Sequence, residues 1–465
     1  MGKNNSPARD MPRSSWGEVE TPRTCAPLPL PTQGGIMTDH VPECKRRTPS
    51  SALFLIGSLC SIMLLSFVLS ACGGPSDGKI HLTLWYWNRS IDDKLIAQVS
   101  QQFPNIVLEA DKITGFDSKV RTAMAGHSGV PDIMGINSNI ATYYPDEDQF
   151  IDLNTVGAKD IQSQYLPWKW ALGTSPTGRQ IAIPMDTGPT ALFYRADIFQ
   201  QAGLPTDPEA VSSLFTSWDS YLQASAKISA ATNGKSFLFD DVYTIYEMQL
   251  LASKEHYFAP GGQYIGGSAH IKQIWDDSVK AVQTQGALGK DGAFSTDWNQ
   301  AADSGRIASF VSAVWMKQIL SDAAPDTKGK WRIARAPGGD GNYGGSFLAV
   351  TKYTQYPKEA FEVIKWLQNP QNQVTASNDI QLFPSALSAL DNPSLGQPED
   401  FFGGQNTTPI FAAAAKNVPL FYTDPHDGTV DTEISTQLAL VEFSNKDSNQ
   451  AWNDAQAAIQ RDLLR

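Results

Sequence analysis

Hydrophobic positions between residues 80 and 136 follow two alternating spacings. In residues 80–87 (IHLTLWYW), apolar side chains occupy every second position before an aromatic cluster, which predicts a β-strand. The next segment carries apolar side chains at helical spacing and ends at Pro104, which predicts a helix. The predicted elements are a strand over 80–87, a helix over 91–103, a strand over 106–110, a helix over 117–125 and a strand over 131–136.

This succession of strands and helices predicts a parallel sheet with crossover helices, since parallel neighbours need a long connection. In such sheets ligands bind beyond the carboxyl ends of the strands. Tyr86, Trp87 and Asn88 end the first strand, and Asn137 follows the third. We therefore expect these residues at one rim of the sheet. Because neighbouring strand residues point to opposite faces, only one of Tyr86 and Trp87 can face a ligand.

The rest of the chain continues the α/β pattern. In residues 181–189 (IAIPMDTGP), proline and glycine flank a β-type run, as expected where a chain leaves one lobe for another. The further predicted strands cover 190–194, 307–315, 331–336 and 346–351, and the further predicted helices cover 217–231, 244–253, 268–285, 296–304, 357–368 and 450–464.

A single segment has the hydrophobicity to enter a membrane. Residues 51–69 (SALFLIGSLCSIMLLSFVL) follow the basic residues 45–47 and precede Ser70-Ala71-Cys72, an arrangement typical of a secretory leader. The sequence Leu69-Ser70-Ala71-Cys72 matches a lipobox, which predicts cleavage before Cys72 and a lipid on its thiol. The alternative is an uncleaved transmembrane anchor.

The first 36 residues are rich in proline and lack periodicity, so we expect translation to begin at Met37 and residues 37–71 to be the signal peptide. Of the four cysteines, Cys25, Cys44 and Cys60 precede the cleavage point. The mature chain then keeps Cys72 alone, which excludes disulfides, cysteine catalysis and thiolate metal sites. Residues 72–78 form a short glycine-containing tether.

Composition narrows the class of protein further. The 465 residues exceed what one hydrophobic core accommodates, so we expect two lobes. A net charge of −12 argues against a nucleic-acid partner, which needs a basic surface, and we attribute the acidity to solubility. Twelve Trp and 14 Tyr exceed what a core needs, so we expect some of them to face a ligand. Histidines 81, 127, 256, 270 and 426 lack metal-ligand spacing, so no metal and no cofactor is predicted.

Four motifs occur in a fixed order along the mature chain. They are IPMDTGPTALFYRADIFQQAGLP over 183–205, GRIASFVSAVWM over 305–316, APGGDGNYGGSFLAVTK over 336–352 followed by KEAFEVIKWL over 358–367, and FPS over 383–385. Together with the lipobox, this set resembles the family 1 extracellular solute-binding proteins of ATP-driven sugar importers. Three positions depart from the family pattern, with Arg195 for Asn, Ala313 for Gly and Ala386 for a ligand-binding Arg.

The resemblance implies a two-lobe α/β fold of the periplasmic-binding-protein type (type II). A sugar would bind in the cleft between lobes joined by crossing strands, and the closed form would dock on a membrane permease. We expect an N-terminal lobe of residues 79–187 and 349–388 and a C-terminal lobe of residues 188–348 and 389–465.

A pyranose has an apolar face and a rim of hydroxyl groups, so it needs aromatic rings together with Asp and Asn side chains. Trp315 ends a predicted strand where the family stacks an aromatic ring on the sugar; the alternative is a core tryptophan. The other candidates are Trp87, Tyr86, Asn88, Asn137, Asp186, Gly344, Gly345 and Ser346.

Each of these candidates also has a structural alternative. Asn88 and Asn137 could cap loops, Asp186 could make hinge hydrogen bonds, and residues 344–346 could form an ordinary turn. Asp297 and Trp298 are further candidates on a predicted helix.

The resulting prediction is a lipid-anchored sugar receptor on the extracytoplasmic face of a bacterial cell membrane. We expect a monomer that delivers its sugar to the permease subunits of an importer and performs no chemistry. One alternative is a secreted glycoside hydrolase, which needs two carboxylates across a cleft. Asp146-Glu147-Asp148 and Asp240-Asp241 are interpreted as solvated turns instead. Another alternative is the same fold with a polyamine or a glycerophosphodiester as ligand.

Overall fold

The computed structural model describes residues 78–464, so the predicted start at Met37, the leader and the lipid-bearing Cys72 lie outside the described residues. The strands are β1 (Ile80–Tyr86), β2 (Ile106–Lys112), β3 (Ile133–Ile136), β4 (Ile183–Pro184), β5 (Asp186–Thr187), β6 (Thr190–Arg195), β7 (Phe258–Ala259), β8 (Gln263–Tyr264), β9 (Ser309–Ala313), β10 (Trp331–Ala334), β11 (Phe347–Val350) and β12 (Phe383–Pro384).

Helices connect and cover these strands, and several begin at a capping residue or a proline. They are α1 (Asp93–Gln102), α2 (Phe116–Gly126), α3 (Pro167–Leu172), α4 (Ala196–Gln201), α5 (Pro208–Leu214), α6 (Trp218–Leu222), α7 (Ala224–Ala231), α8 (Val242–Leu251), α9 (Ala269–Gln283), α10 (Thr296–Ser304), α11 (Met316–Ala323), α12 (Pro357–Leu367), α13 (Pro370–Ile380), α14 (Leu387–Leu390), α15 (Thr408–Asn417), α16 (Asp427–Ser444) and α17 (Ser448–Leu463). Among these described helices, none combines the length and the apolar character needed to cross a membrane.

A five-stranded sheet in the order β2-β1-β3-β11-β4 forms the centre of one lobe. β1 runs parallel to β2 and to β3, with Leu84 paired to Ala110 on one side and to Ile133 on the other. The predicted parallel core with crossover helices is therefore present. β11, from much later in the chain, closes the sheet by pairing antiparallel with both β3 and β4.

A three-stranded antiparallel sheet in the order β10-β6-β9 forms the centre of the second lobe. Phe193 of β6 pairs with Phe310 of β9, and their rings stack at 4.8 Å between centroids. β9 ends at Ala313, opposite Thr190 at the start of β6. Residues 196–304 are rich in helices, as the hydrophobic pattern predicted.

Two chain segments pass side by side between the sheets. Residues 185–190 and 341–346 are joined by three backbone hydrogen bonds, from Met185 to Ser346, from Tyr343 to Gly188 and from Thr190 to Gly341, with lengths of 2.7–2.9 Å. This pairing is the crossing of strands that the two-lobe fold requires. It brings the start of β6, the end of β9 and the start of β11 to one junction. The exact lobe limits given above stay a prediction.

Candidate ligand-binding site

Three neighbouring cavities lie near the junction of the two sheets. The central cavity, of about 250 Å³, is lined from the five-stranded-sheet side by Ser138, Lys169 and Phe347 and from the other side by Glu247, Tyr257 and Asp431. The acidic cavity, of about 330 Å³, shares Glu247 and Tyr343 with it. The outer cavity, of about 730 Å³, shares Leu172, Phe421 and Thr423 with it. The shared lining residues place the central cavity next to both of the others.

Lys169 forms the basic wall of the central cavity. Helix α3 places this lysine behind the crossing segments, where its side chain is fully buried and its Nζ has no hydrogen-bond partner among the described residues. The ammonium group lies 3.6 Å from the centroid of the Phe347 ring, a cation–π contact. Burial lowers the pKa of Lys169 to about 7, although the nearby Asp186 carboxylate acts in the opposite direction. A ligand oxygen would supply the acceptor that Lys169 lacks.

Asp431 forms the opposite, acidic wall. Its two carboxylate oxygens accept hydrogen bonds from the Tyr243 hydroxyl at 2.6 Å and the Tyr257 hydroxyl at 3.1 Å. Burial raises the pKa of Asp431, and the two hydroxyl donors partly offset this effect. Glu247 lies beside this group and follows Tyr243 by one helical turn on α8. The central cavity therefore offers acceptors on one side and an ammonium donor on the other.

Asp427 adds a further carboxyl group at the start of α16. One of its oxygens accepts the Asp424 backbone N–H at 2.9 Å, and the other has no partner within residues 78–464. Burial raises the pKa of Asp427 to about 7, with the neighbouring carboxylates Asp424 and Asp431 acting in the same direction. Next to it, the Phe421 ring stacks on His256 at 4.3 Å and provides an aromatic face between the central and outer cavities.

Four carboxyl groups line the acidic cavity, those of Asp240, Asp241, Glu247 and Glu442. Asp240 and Asp241 are 2% and 7% exposed, so the interpretation of this pair as a solvated turn was wrong. The physical reason is that both side chains satisfy backbone or indole N–H groups inside the fold. Asp241 is the N-cap of α8 and accepts from Thr244, and Asp240 accepts from the Trp298 indole at 3.1 Å.

Aromatic rings line the mouth of the acidic cavity. Phe294 and Phe443 are 53% and 58% exposed, unusual values for phenylalanine, and both line this cavity. The Phe294 ring packs nearly parallel to the Trp315 indole, with centroids 5.9 Å apart. Trp315 in turn packs against Tyr343 at 5.3 Å. Rings at the mouth and carboxyl groups inside give the polar-and-aromatic lining that small polar ligands need.

A sequence profile of the bacterial extracellular solute-binding proteins matches residues 88–374. The chain belongs to this family. This membership confirms the resemblance drawn from the four motifs.

Two curated relatives of this solute-binding protein are sugar-binding proteins by name. The chain is 26% identical over 444 residues to the lactose-binding protein of Rhizobium radiobacter, which covers 89% of this chain and 98% of that protein. It is 22% identical over 338 residues to the arabinooligosaccharide-binding protein of Bacillus subtilis (strain 168), covering 67% and 76% of the two chains.

The solved structures confirm the fold class. A crystal structure of a family 1 extracellular solute-binding protein superposes with a TM-score of 0.79 at 30% identity, over 82% of this chain and 99% of that one. The predicted two-lobe, type II fold is therefore confirmed. Within residues 78–464, no group of three or more His, Cys, Asp or Glu side chains is arranged to hold a metal ion.

Of the predicted aromatic site residues in this solute-binding protein, Trp315 is the one whose ring partners line a cavity. It is half-buried after β9, and its indole N–H donates to the Tyr343 carbonyl at 2.9 Å. Trp315 does not itself line any of the three cavities, but two of its ring partners, Phe294 and Tyr343, line the acidic one. Its part in ligand binding stays a prediction, in which the indole would position Phe294 and Tyr343 rather than contact the ligand.

The structure separates Tyr86 from Trp87, as the strand pattern required. Tyr86 is buried in the core beneath the five-stranded sheet, and its hydroxyl donates to Asp93 at 2.9 Å. Trp87 is half-buried against Phe116, with ring centroids 4.9 Å apart. Neither lines the three cavities. Asn88 and Asn137 are exposed, and the Asn137 side chain accepts the Ser138 backbone N–H, which is a loop contact.

The remaining predicted residues lie at the crossing of the two segments. Asp186 accepts the Ser346 backbone N–H at 2.8 Å, so this aspartate joins the crossing strands. Gly344 and Gly345 have φ of +91° and +86°, and Gly344 also lines the central cavity. A Cβ on Gly344 would lie 3.2 Å from the Trp315 indole nitrogen. The glycine therefore allows the tryptophan to approach the crossing closely.

Two departures from the family pattern have structural explanations. The Arg195 guanidinium is buried and makes two hydrogen bonds to Asp197, at 2.9 and 2.7 Å, at the end of β6. Ala386 is fully buried and its N–H donates to Gln373, which leaves no room for an arginine. Of the helix candidates, Trp298 is fully buried and Asp297 is exposed.

Sequence reasoning missed the cavity residues that come from helices. Tyr243 with Glu247 on α8, and Asp427 with Asp431 on α16, are each spaced four positions apart. That spacing places both members on one face of a helix. A polar pair on one helical face was therefore the available signal, whereas the rule that ligands bind beyond strand ends selects only residues that follow strands.

Proposed function

We propose that this protein is the substrate-binding component of an ATP-driven carbohydrate importer, and that it holds a saccharide in the three neighbouring cavities. The observation that carries this proposal is the central cavity, which offers Lys169 as a donor and Asp431 as an acceptor on opposite walls. A sugar hydroxyl both donates and accepts hydrogen bonds, so it satisfies both walls at once. The names of the curated relatives support a saccharide as ligand.

Ligand binding would act by stabilising the closed arrangement of the lobes. Lys169 and Phe347 belong to the side of the five-stranded sheet, and Tyr257 and Asp431 to the other side. A ligand that bonds to both sides favours the conformation in which the sides are close, by its differential affinity for that state. The crossing segments, with two consecutive glycines of positive φ, are the place where a hinge motion would occur.

The lipobox supports attachment of the mature protein to the outer face of the membrane through Cys72. A lipid anchor would keep the receptor near its permease, to which it would deliver the sugar. In this role the protein performs no chemistry and acts as a monomer.

The experiment that tests this function is a ligand screen with the full chain purified in detergent. Thermal unfolding is measured with glucose, galactose, lactose, maltose, cellobiose and arabinooligosaccharides, because a ligand bound to the native state alone raises the melting temperature. Positive ligands are then titrated by calorimetry and checked for product formation. Binding without product supports the receptor. Product formation would establish the glycoside hydrolase instead, and binding of no saccharide, whether neutral or amino-bearing, would contradict the proposed function.

A further inference from the structure

The acidic cavity has an unusual balance of charge. The carboxyl groups of Asp240, Asp241, Glu247 and Glu442 line it, and no Lys or Arg is among its described lining residues. The nearby Lys290 ammonium donates to the backbone carbonyl of Glu442 at 2.7 Å, outside the lining. The cavity therefore collects four carboxyl groups with no basic side chain among its described lining residues.

Two of the four carboxyl groups are fully engaged within the fold. Asp240 accepts the Asp241 backbone N–H at 3.0 Å and the Trp298 indole N–H at 3.1 Å. Asp241 accepts from both the backbone N–H and the hydroxyl of Thr244, at 2.8 and 2.9 Å. These contacts cap α8 and fix α10, so they explain Asp240 and Asp241 without a ligand.

Glu442 has no such explanation. Its side chain is 2% exposed, and its Oε1 has no hydrogen-bond partner within the part of the chain that the structure describes. Its other oxygen lies 3.5 Å from the Val242 backbone N–H, the limit of a hydrogen bond. A buried carboxyl oxygen without a donor is costly, and it points to a donor that arrives with a ligand.

Glu247 is held only weakly by its surroundings. The Tyr243 hydroxyl lies 3.4 Å from one of its carboxyl oxygens. That hydroxyl has one proton and a much nearer acceptor, Asp431 at 2.6 Å. Glu247 lies at the boundary between the acidic and central cavities, so a ligand that spans both would pass it.

Burial makes it costly for these two residues to be ionised together. Burial raises the pKa of Glu247 to about 8, with Asp431 and Asp241 acting in the same direction. Burial likewise raises the pKa of Glu442 to about 8, again with a contribution from Asp241. A cation in the cavity would offset that cost, because it favours the charged form of each carboxyl group.

The aromatic rings at the mouth suit a cation as well. Phe294, Tyr343 and Phe443 line the cavity and can present their faces to an ammonium group. The next cavity contains Lys169, whose charge disfavours a second ammonium on its side, while Asp427 and Asp431 on the facing side can accept hydrogen bonds from hydroxyl groups. The combination therefore fits one amino group attached to an otherwise neutral, hydroxyl-bearing body.

We propose that the acidic cavity binds the ammonium group of an amino sugar, held by Glu442 and Glu247, while the hydroxyl-bearing remainder occupies the central cavity. This inference rests on the proposed function and names its substrate class. The same ammonium chemistry could come from a polyamine, which has no sugar body and would place a further cation near Lys169.

The test compares matched ligand pairs by calorimetry on the full chain. The pairs are glucosamine with glucose, galactosamine with galactose and fully deacetylated chitotriose with cellotriose, and spermidine forms a separate arm. We expect the amino member of at least one pair to bind about tenfold more tightly or better, a difference of about 1.4 kcal/mol. Glu442→Gln should abolish that difference. Glu433→Gln, on the same helix but outside the cavities, should preserve it.

Glu247→Gln provides a second variant should Glu442→Gln fail to fold, as judged by its melting temperature. Tighter or equal binding of the neutral sugars, or a preference that survives both substitutions, would overturn the ammonium site and leave the receptor function intact. Binding of spermidine but of no saccharide would overturn both the amino-sugar assignment and the sugar-receptor function.

Discussion

The backbone of Gly345 lies so close to Asp186 that a Cβ atom on the glycine would be 2.6 Å from the Asp186 carbonyl oxygen. The same Cβ would lie 2.9 Å from the Lys169 ammonium nitrogen. Both contacts are shorter than packed atoms tolerate. The close approach of the crossing segments therefore depends on a residue without a side chain.

Gly345→Ala should consequently destabilise the crossing. The φ of +86° adds backbone strain of about 1–2 kcal/mol for a residue with a Cβ, and the clash with Asp186 adds to it. We expect the free energy of unfolding to fall by more than about 2 kcal/mol and ligand affinity to fall with it. Urea unfolding and calorimetry with a ligand from the screen measure the two effects.

Gly404→Ala is the matched control for this substitution. Gly404 has a similar φ of +80°, but its Cβ would have no heavy atom within 4 Å. We expect this variant to lose only the strain energy of about 1–2 kcal/mol and to keep its ligand affinity. Equal destabilisation of the two variants would show that the close approach to Asp186 is unimportant.

Trp315→Ala should weaken saccharide binding at least about tenfold, or about 1.4 kcal/mol, while the fold persists. The physical reason is that the indole supports Phe294 and Tyr343, which line the acidic cavity, and donates to the Tyr343 carbonyl. Trp315→Phe keeps a ring but removes the donor, so an intermediate loss is expected. Calorimetric titration of both variants measures the change.

Trp366 offers a control of the same residue type. It is half-buried on α12 and packs edge-on against Phe103. It lines none of the three cavities. Trp366→Ala should lower the melting temperature without changing affinity. A Trp315→Ala variant with unchanged affinity would remove Trp315 from the site.

The sequence was most informative where a pattern of residues is compatible with a single local structure or a single family. The alternation in β1 identified the strand, and it also showed that Tyr86 and Trp87 must lie on opposite faces, as they do. Ordered motifs identified the family because they extend over most of the chain. In both cases each signal is a short run of consecutive residues that can be identified without knowing how distant segments pack.

The carboxyl groups of the cavities could not be predicted in this way. Tyr243 and Asp431 share a hydrogen bond although they are 188 positions apart. Which helix faces meet across a cleft depends on how the lobes pack, and that packing leaves no periodic signal in either helix. The same argument applies to Asp240. The pair of adjacent acidic residues suggested an exposed turn, but the Asp240 carboxylate accepts a hydrogen bond from the Trp298 indole inside the core.

Asp431→Asn should reduce ligand affinity about tenfold without lowering stability. An amide keeps the shape of the carboxyl group but cannot accept from both Tyr243 and Tyr257 with its two end atoms, so the acidic wall rearranges. Because burial raises the pKa of Asp431, its charge is destabilising at neutral pH, and its removal should not lower the free energy of unfolding. Glu433→Gln is the control. Loss of stability with unchanged affinity would assign Asp431 a purely structural role.

Lys169 makes stability depend on pH in a defined window. Burial lowers its pKa from 10.5 to about 7 in the folded protein, so the unfolded chain binds more protons between these values. The free energy of unfolding contributed by Lys169 therefore rises as the pH increases from about 7 to about 10.5. Lys169→Met removes this titration while keeping an unbranched side chain.

We expect wild type to gain stability relative to Lys169→Met as the pH rises through this window, by on the order of a few kcal/mol in total. Urea unfolding of both proteins at several pH values within it measures the difference. Lys358→Met, at an exposed position on α12, should show no such trend relative to wild type. A difference between wild type and Lys169→Met that is constant with pH would mean that Lys169 stays charged in the fold, with an acceptor that neutralises its burial.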